Sequence, residues 1–178
     1  MLRKKSNVFW CTGMSGVGKS TLSIHVKTEL EKRDFSVTII DGDYIRKNYK
    51  MPLGFSRKDI EKNNMLIAKF AEEQSLKNDV TIVSIISPID KIRKQIRKML
   101  SPNFYLVYLT ADIDALVQRD PKGLYKKANE NVITDLIGYS NKNLYDVPLD
   151  ADLVIDTSQE SSFCECQKMY LDFIIEKI

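Results

Sequence analysis

Apolar and polar positions along the chain form alternating blocks of two kinds. Short apolar runs occupy 8–11, 37–40, 80–86, 104–109 and 153–155, and their length and composition are typical of buried strands. Between them, apolar residues recur at helical spacing and predict helices over 20–33, 56–78, 88–99, 112–118 and 163–178, with a short helix and a loop over 44–55. Because strand and helix alternate, we expect an α/β fold of three layers, in which a five-stranded parallel sheet carries helices on both faces.

Local signals refine three of these helices. Ser56, followed three residues later by Asp59, has the spacing of a helix cap with an acid in the first turn. Ser87-Pro88, after the third strand, matches the residue preferences of an N-cap and a first helical position. In the closing helix, one stripe contains Tyr170, Ile174 and Ile178.

The composition is that of one ordinary globular domain, 1–178, and excludes several classes of protein. Of the 178 residues, 43% are hydrophobic and 29% charged, and the net charge of +3 is dispersed, so no basic stripe for nucleic acid is predicted. No apolar run approaches the roughly 20 residues that span a bilayer, and none near the start resembles a signal peptide. We therefore expect a cytoplasmic protein without a membrane partner. Three cysteines without C-x-x-C spacing indicate neither disulfides nor a zinc site.

A phosphate-binding loop follows the first predicted strand. Residues 13–20, GMSGVGKS, fit the pattern G-x-x-x-x-G-K-[ST] between a strand and a helix. The glycines let backbone N–H groups approach phosphate oxygens, Lys19 adds a positive charge, and the Ser20 hydroxyl suits Mg²⁺. The predicted triphosphate contacts are Gly13, Ser15, Gly16, Val17, Gly18, Lys19, Ser20 and Thr21.

Two aspartates end the second predicted strand, at the sheet edge where open α/β folds bind ligands. Asp41 and Asp43 flank Gly42, and carboxylates there can hold Mg²⁺ or accept the proton of an attacking hydroxyl. A simple D-G turn is the alternative. We expect Lys19, Asp41 and Asp43 to act in catalysis, and Ser20 and Asp43 to bind the metal.

A GTPase is excluded by two mismatches. The sequence NKNL at 141–144 lacks the final aspartate of the guanine-reading N-K-x-D motif. The D-x-x-G match at 120–123 follows an amphipathic helix, whereas a switch motif follows a buried strand.

Further motifs make the chain resemble the adenylyl-sulfate (APS) kinase family. Besides the phosphate loop, they are DGDYIR at 41–46, GFSRKD at 54–59, ISP at 86–88 with Arg93 and Arg97, RDPKGLYKKA at 119–128 and DLVIDT at 152–157. The resemblance implies a P-loop kinase fold, frequently a homodimer, with ATP and Mg²⁺ as cofactors. It implies transfer of the γ-phosphate to the ribose 3′-hydroxyl of adenosine 5′-phosphosulfate, giving PAPS in sulfate assimilation.

The resemblance also implies roles on the acceptor side. Arg46 is expected to hold the 5′ anion of the acceptor and Phe55 to stack on its base, although Phe55 has an alternative as a core residue. Ser87 corresponds to a serine that some members phosphorylate, which is the alternative to the N-cap named above. The further expected acceptor contacts are Asn63, Ile86, Ser87, Lys122, Gly123 and Leu124.

Residues 119–131 are either a solvated charged loop or part of a lid. Lys122, Lys126 and Lys127 beside Gly123 suit closure over phosphates and exclusion of water. Because the order K-G-L-Y-K is that of the family, we expect a lid over about 119–147.

The acceptor side departs from the family pattern, whereas the ATP side does not. Ile60 stands where the family has an arginine, and Met65 and Leu66 replace paired arginines. Losing one ionic hydrogen bond, worth roughly 1.5–3 kcal/mol, weakens binding by about 10- to 100-fold. We therefore expect phosphorylation of a nucleotide's ribose, with APS as the first acceptor and cytidine diphosphoramidate of bacterial capsule modification as the alternative. The third hypothesis, a non-catalytic ATP-binding module, leaves Asp41, Asp43 and the 119–128 motif unexplained.

Overall fold

A computed structural model describes residues 5–42, 45, 54, 56–158 and 162–178 of the chain. The strands are Asn7–Thr12 (β1), Val37–Asp41 (β2), Val80–Ser84 (β3), Phe104–Thr110 (β4) and Leu153–Asp156 (β5). The helices whose ends lie in the described ranges are Lys19–Glu31 (α1), Arg57–Ser75 (α2), Asp90–Leu100 (α3), Ile113–Arg119 (α4), Leu124–Asn129 (α5) and Phe163–Lys177 (α6).

The strands form one parallel sheet in the order β2-β3-β1-β4-β5. Along the central strand β1, Phe9 and Cys11 pack into a core that includes α1 and α6, whereas Val8 and Trp10 pack into a second core with α2 and α3. Burial of both faces explains why β1 is a continuous apolar run without polar alternation. The three-layer α/β fold with a five-stranded parallel sheet is confirmed.

The strand register brings polar residues together at the carboxyl edge of the sheet. Cys11 of β1 and Asp41 of β2 both lie opposite Ser84 of β3, and the phosphate loop begins directly after β1. Parallel strands end at the same edge, so residues that are far apart in the chain meet there.

Several elements end earlier than their sequence patterns predict. β3 stops at Ser84 although the apolar run continues to Ile86, and α2 stops at Ser75. After α2, the N–H groups of Leu76 and Lys77 donate to carbonyls three residues back, which tightens and closes the last turn. The stripe prediction for α6 is wrong at Ile178, which is 45% exposed while Tyr170 and Ile174 are buried.

The prediction that Ser87 and Pro88 cap and begin the next helix is wrong. α3 begins at Asp90 with Ile89 as its N-cap. The backbone N–H of Asp90 donates to a carboxylate oxygen of Asp146 at 3.0 Å, so a residue 56 positions away satisfies this helix end. Ser87 has a φ of 44°, in the left-handed region that a residue with a Cβ rarely adopts.

Within the described ranges, no helix combines the length and the apolar character that crossing a bilayer requires. The same part of the chain contains no group of three or more His, Cys, Asp or Glu placed to hold a metal ion. The three cysteines are free thiols, with Cys11 and Cys166 buried and Cys164 exposed.

Candidate active site

The phosphate loop is shaped by close backbone packing at the end of β1. Gly13 has a φ of 152°, and a Cβ there would lie 2.4 Å from the carbonyl oxygen of Leu109, so only glycine fits. Gly18, with a φ of 96°, is the N-cap of α1 and supplies no side-chain acceptor for the first N–H groups of that helix. The positive end of α1 is therefore open to an anion.

Two side chains of the phosphate loop, those of Lys19 and Ser20, make short hydrogen bonds. Lys19 Nζ donates to the carbonyl oxygens of Gly13 at 2.9 Å and Met14 at 2.8 Å. Ser20 Oγ donates to Asp41 Oδ2 at 2.7 Å. A hydroxyl and a carboxylate are hard oxygen donors, and Mg²⁺ commonly takes only one or two protein ligands beside water and phosphate oxygens. The pair fits this ion.

Buried contacts from distant segments hold the outer side of the loop. Thr157 Oγ1 lies 3.0 Å from the Val17 carbonyl oxygen, to which it donates, and Arg119 donates to the carbonyl oxygen of Thr157. Tyr125, on α5, is 1% exposed and its hydroxyl donates to the Ser15 carbonyl oxygen at 2.8 Å. Burial raises the pKa of Tyr125 to about 12, so this hydroxyl stays a donor at neutral pH.

A cavity of about 340 Å³ joins the loop to the ends of β2 and β3. The predicted site residues that line it are Ser15, Gly16, Gly18, Lys19, Ser20, Thr21, Asp41, Asn63, Ile86, Ser87 and Lys122. Four others lie outside its lining: Gly13 and Val17 are buried in the loop, and Gly123 and Leu124 begin α5. The structure thus brings the predicted donor side and much of the predicted acceptor side to one cavity.

Three predicted residues cannot be placed. Asp43, Arg46 and Phe55 lie outside the described residues, so their predicted roles stay predictions.

Three residues that line the cavity have unpartnered polar groups. Asn64 is 3% exposed, Ser84 3% and Ser87 2%. The amide nitrogen of Asn64 and the hydroxyl oxygens of both serines have no hydrogen-bond partner in the part of the chain that the structure describes. Buried polar groups are nearly always paired in native proteins, and three of the ten unpartnered polar atoms among the described residues belong to residues that line this cavity.

A buried network fixes the backbone at Ser87. Thr12 Oγ1 donates to the Ile86 carbonyl oxygen at 2.5 Å and lies 2.8 Å from the hydroxyl of Tyr145. Arg93, which is 1% exposed, donates to the carbonyl oxygens of Ser87 at 2.7 Å and Asp146 at 2.5 Å. Its guanidinium lies 5.7 Å from the centre of the Tyr145 ring. Burial raises the pKa of Tyr145 well above its ordinary value, so the phenol stays neutral beside Arg93.

Sequence reasoning assigned no role to Thr12, Arg93 or Tyr145. Thr12 and Tyr145 are 133 positions apart, and no local pattern signals such a pair. For Arg93, the available signal was its place shortly after the ISP motif.

The segment at 119–131 is structured and contacts the phosphate loop. Asp120 accepts hydrogen bonds from the N–H groups of Leu124 at 2.7 Å and Lys126 at 2.9 Å, at the start of α5. Desolvation raises the pKa of Asp120, but these backbone donors outweigh it and hold the pKa below its ordinary value. A purely solvated loop is therefore inconsistent with the structure. Whether the segment moves as a lid stays a prediction.

The sequence matches the model of one protein family, described as adenylylsulphate kinase, over residues 5–156. The chain belongs to the adenylylsulphate kinase family. Proteins of this family are kinases, which transfer a phosphoryl group to an alcohol acceptor, and the family resemblance read from the motifs is confirmed.

Individual relatives agree with this family. A probable adenylyl-sulfate kinase from Bacillus subtilis (strain 168) is 34% identical over 177 residues, which cover 99% of this chain and 88% of that protein. The structure of the Mycobacterium tuberculosis APS kinase CysC in complex with AMPPNP and APS is similar with a TM-score of 0.85 and 27% identity, covering 97% of this chain and 98% of that one. A gluconokinase from Sinorhizobium meliloti 1021, with a TM-score of 0.63, 15% identity, and coverage of 98% and 94%, shares the fold alone.

Proposed function

We propose that the protein transfers the γ-phosphate of ATP to the ribose 3′-hydroxyl of adenosine 5′-phosphosulfate. The observation that carries this proposal is the single cavity that Lys19, Ser20 and Asp41 share with Asn63 and Ser87. The similar APS kinase that was solved with AMPPNP and APS supports the same pair of ligands for this chain.

On the donor side, the loop binds and orients the triphosphate. Lys19 gives up its hydrogen bonds to the carbonyl oxygens of Gly13 and Met14 and binds phosphate oxygens instead. Because its ammonium group is already held in the loop, little reorganisation is needed when ATP binds. Ser20 and Asp41 would hold Mg²⁺, and Asp43 is the further predicted ligand. When bound, the ion supplies positive charge that stabilises the oxygens of the transferred phosphate.

On the acceptor side, the nucleotide lies against α2 and Ser87, with its 3′-hydroxyl directed to the loop. Asn63 is 8% exposed and lines this wall, and Lys122 lines the cavity from the segment before α5. Asp43 is the proposed base that accepts the proton of the 3′-hydroxyl. Arg46 and Phe55 are proposed to bind the 5′ anion and the base of the acceptor.

A panel of acceptors tests this function directly. Purified protein with ATP and Mg²⁺ is offered APS, cytidine diphosphate and cytidine diphosphoramidate; ADP release gives kcat/KM, and mass spectrometry with phosphorus NMR places the new phosphate. We expect APS to have the highest kcat/KM and its product to carry a 3′-phosphate. A cytidine nucleotide as the best substrate would contradict the acceptor assignment, and ATP binding without turnover of any nucleotide would favour a non-catalytic module. The names of the Bacillus subtilis and Mycobacterium tuberculosis relatives refer to APS kinases and give no support to the cytidine alternative.

Matched variants test the two catalytic roles. Lys19→Met should lower kcat/KM by at least about 100-fold, whereas Lys32→Met, which removes a 65% exposed lysine at the end of α1, should leave it unchanged. Asp43→Ala should lower kcat by about 10²- to 10⁴-fold at saturating acceptor. Near-normal turnover of that variant would contradict its role as base or metal ligand. Self-association as a homodimer stays a prediction.

A further inference from the structure

Asn64 is a polar residue within the buried, mostly apolar stripe of helix α2. Ile60, Ile67, Ala68 and Ala71 are between 0% and 5% exposed and recur at helical spacing with Asn64, which is 3% exposed. An apolar side chain at position 64 would continue the stripe. A buried amide in such a position destabilises the protein unless it is hydrogen-bonded.

The amide nitrogen of Asn64 has no partner among the described residues, and Asn64 lines the active-site cavity. One helical turn before it, Ile60 lines the same cavity with apolar atoms only. Ser84, at the end of β3, also lines the cavity, and its hydroxyl is buried and has no partner among the described residues. Residues that break the local packing rule without an internal compensation are typical of functional sites.

We propose that Asn64 is a specificity-determining residue that donates a hydrogen bond from its amide nitrogen to the acceptor nucleotide. This inference rests on the proposed function, because it needs the acceptor to occupy the wall formed by α2 and β3. The amide nitrogen is itself buried, and rotation about the terminal torsion, which has a broad energy minimum, is the movement that would bring it to the cavity. Its partner is a carbonyl oxygen, a ring nitrogen or another hydrogen-bond-accepting atom of the nucleotide.

The proposal predicts opposite effects on stability and on acceptor binding. Asn64→Leu keeps the shape of the side chain but removes the amide, so the melting temperature should rise by several degrees because an unpaired buried group is lost. The KM for APS should rise by about 5- to 30-fold, while the KM for ATP and kcat at saturating APS change by less than about twofold. Asn64→Ala should raise the KM for APS as well, which excludes steric obstruction by leucine as the cause.

Thr81→Val is the matched control. Thr81 lies on β3, is 0% exposed and has an unpartnered hydroxyl among the described residues, but it does not line the cavity. This variant should be at least as stable as the wild type and keep the wild-type KM for APS.

The measurements separate this proposal from the proposed function. Turnover of APS by the wild type, with an unchanged KM for APS in both Asn64 variants, would overturn the role of Asn64 alone. Absence of turnover by the wild type would overturn the proposed function. In that event, calorimetric titration of APS in the presence of AMPPNP tests the role of Asn64. Weaker APS binding by Asn64→Leu than by the wild type supports this role. Equal binding by the two proteins, or no binding by either, overturns it.

Discussion

Replacing Arg93 by methionine should destabilise the protein strongly although Arg93 lies outside the cavity. The guanidinium is 1% exposed and makes hydrogen bonds at 2.7 Å and 2.5 Å to the carbonyl oxygens of Ser87 and Asp146. A third, weaker contact joins it to a carboxylate oxygen of Asp90 at 3.3 Å. Methionine fills much of the space but donates no hydrogen bond, so both carbonyls lose their charged partner.

The size of this loss follows from two opposing effects. A buried carbonyl left unpaired costs about 1–3 kcal/mol, and two are affected here. Removing a buried charge returns part of its desolvation cost, so we expect a net loss of about 2–4 kcal/mol in the free energy of unfolding. For a domain of this size, that corresponds to a fall in melting temperature of about 4–16 °C. The hydrogen bond from Arg93 that holds the left-handed backbone of Ser87 is also lost. We therefore expect kcat to fall by more than the loss of folded protein accounts for.

The assay compares urea unfolding and steady-state kinetics of Arg93→Met with those of Arg97→Met. Arg97, one turn later on α3, is 30% exposed, pairs with Asp152 at 2.9 Å and donates to the Asp150 carbonyl oxygen at 2.8 Å, so its replacement should cost about 1–2 kcal/mol. A loss of stability at position 93 that is equal to or smaller than that at position 97 would refute the reasoning.

Two further predictions concern the segment that follows α4. Tyr125→Phe removes the hydroxyl that donates to the Ser15 carbonyl oxygen, and we expect about 1–2 kcal/mol less stability in urea unfolding and a higher KM for ATP. Tyr139→Phe, which loses an exposed hydrogen bond, should differ little from the wild type, and equal losses in the two would contradict the prediction. Because the pKa of Asp120 is lowered, its stabilisation of α5 is present above the unfolded pKa and is lost as pH falls through the folded pKa. An NMR titration of the Asp120 carboxyl checks this, and a midpoint at or above the ordinary value would be inconsistent with it.

The donor half of the site was predictable from the sequence because it is local. Residues 13–20 are contiguous, and each side chain or glycine acts within a few residues of its neighbours, as the Lys19 contacts with Gly13 and Met14 show. The fold class was predictable for a similar reason, since burial on both faces makes the central strands apolar throughout. Asp41 was placed by topology alone, because parallel strands end at one edge.

Tertiary structure decided the geometry of the proposed acceptor half. Ser87 and Pro88 have the local preferences of a helix start, yet Ser87 adopts a left-handed backbone, held by Arg93 and by Thr12 through Ile86, and the helix begins at Asp90. The helix-capping preference of a serine stabilises a structure by less than several buried hydrogen bonds together do. The contacts made by Arg93 and Thr12 therefore determine the backbone at Ser87. Asn64 was visible in the sequence only as one more polar residue in a helix. Its burial without a partner among the described residues, on which its proposed role rests, arises only once α2 packs against β3.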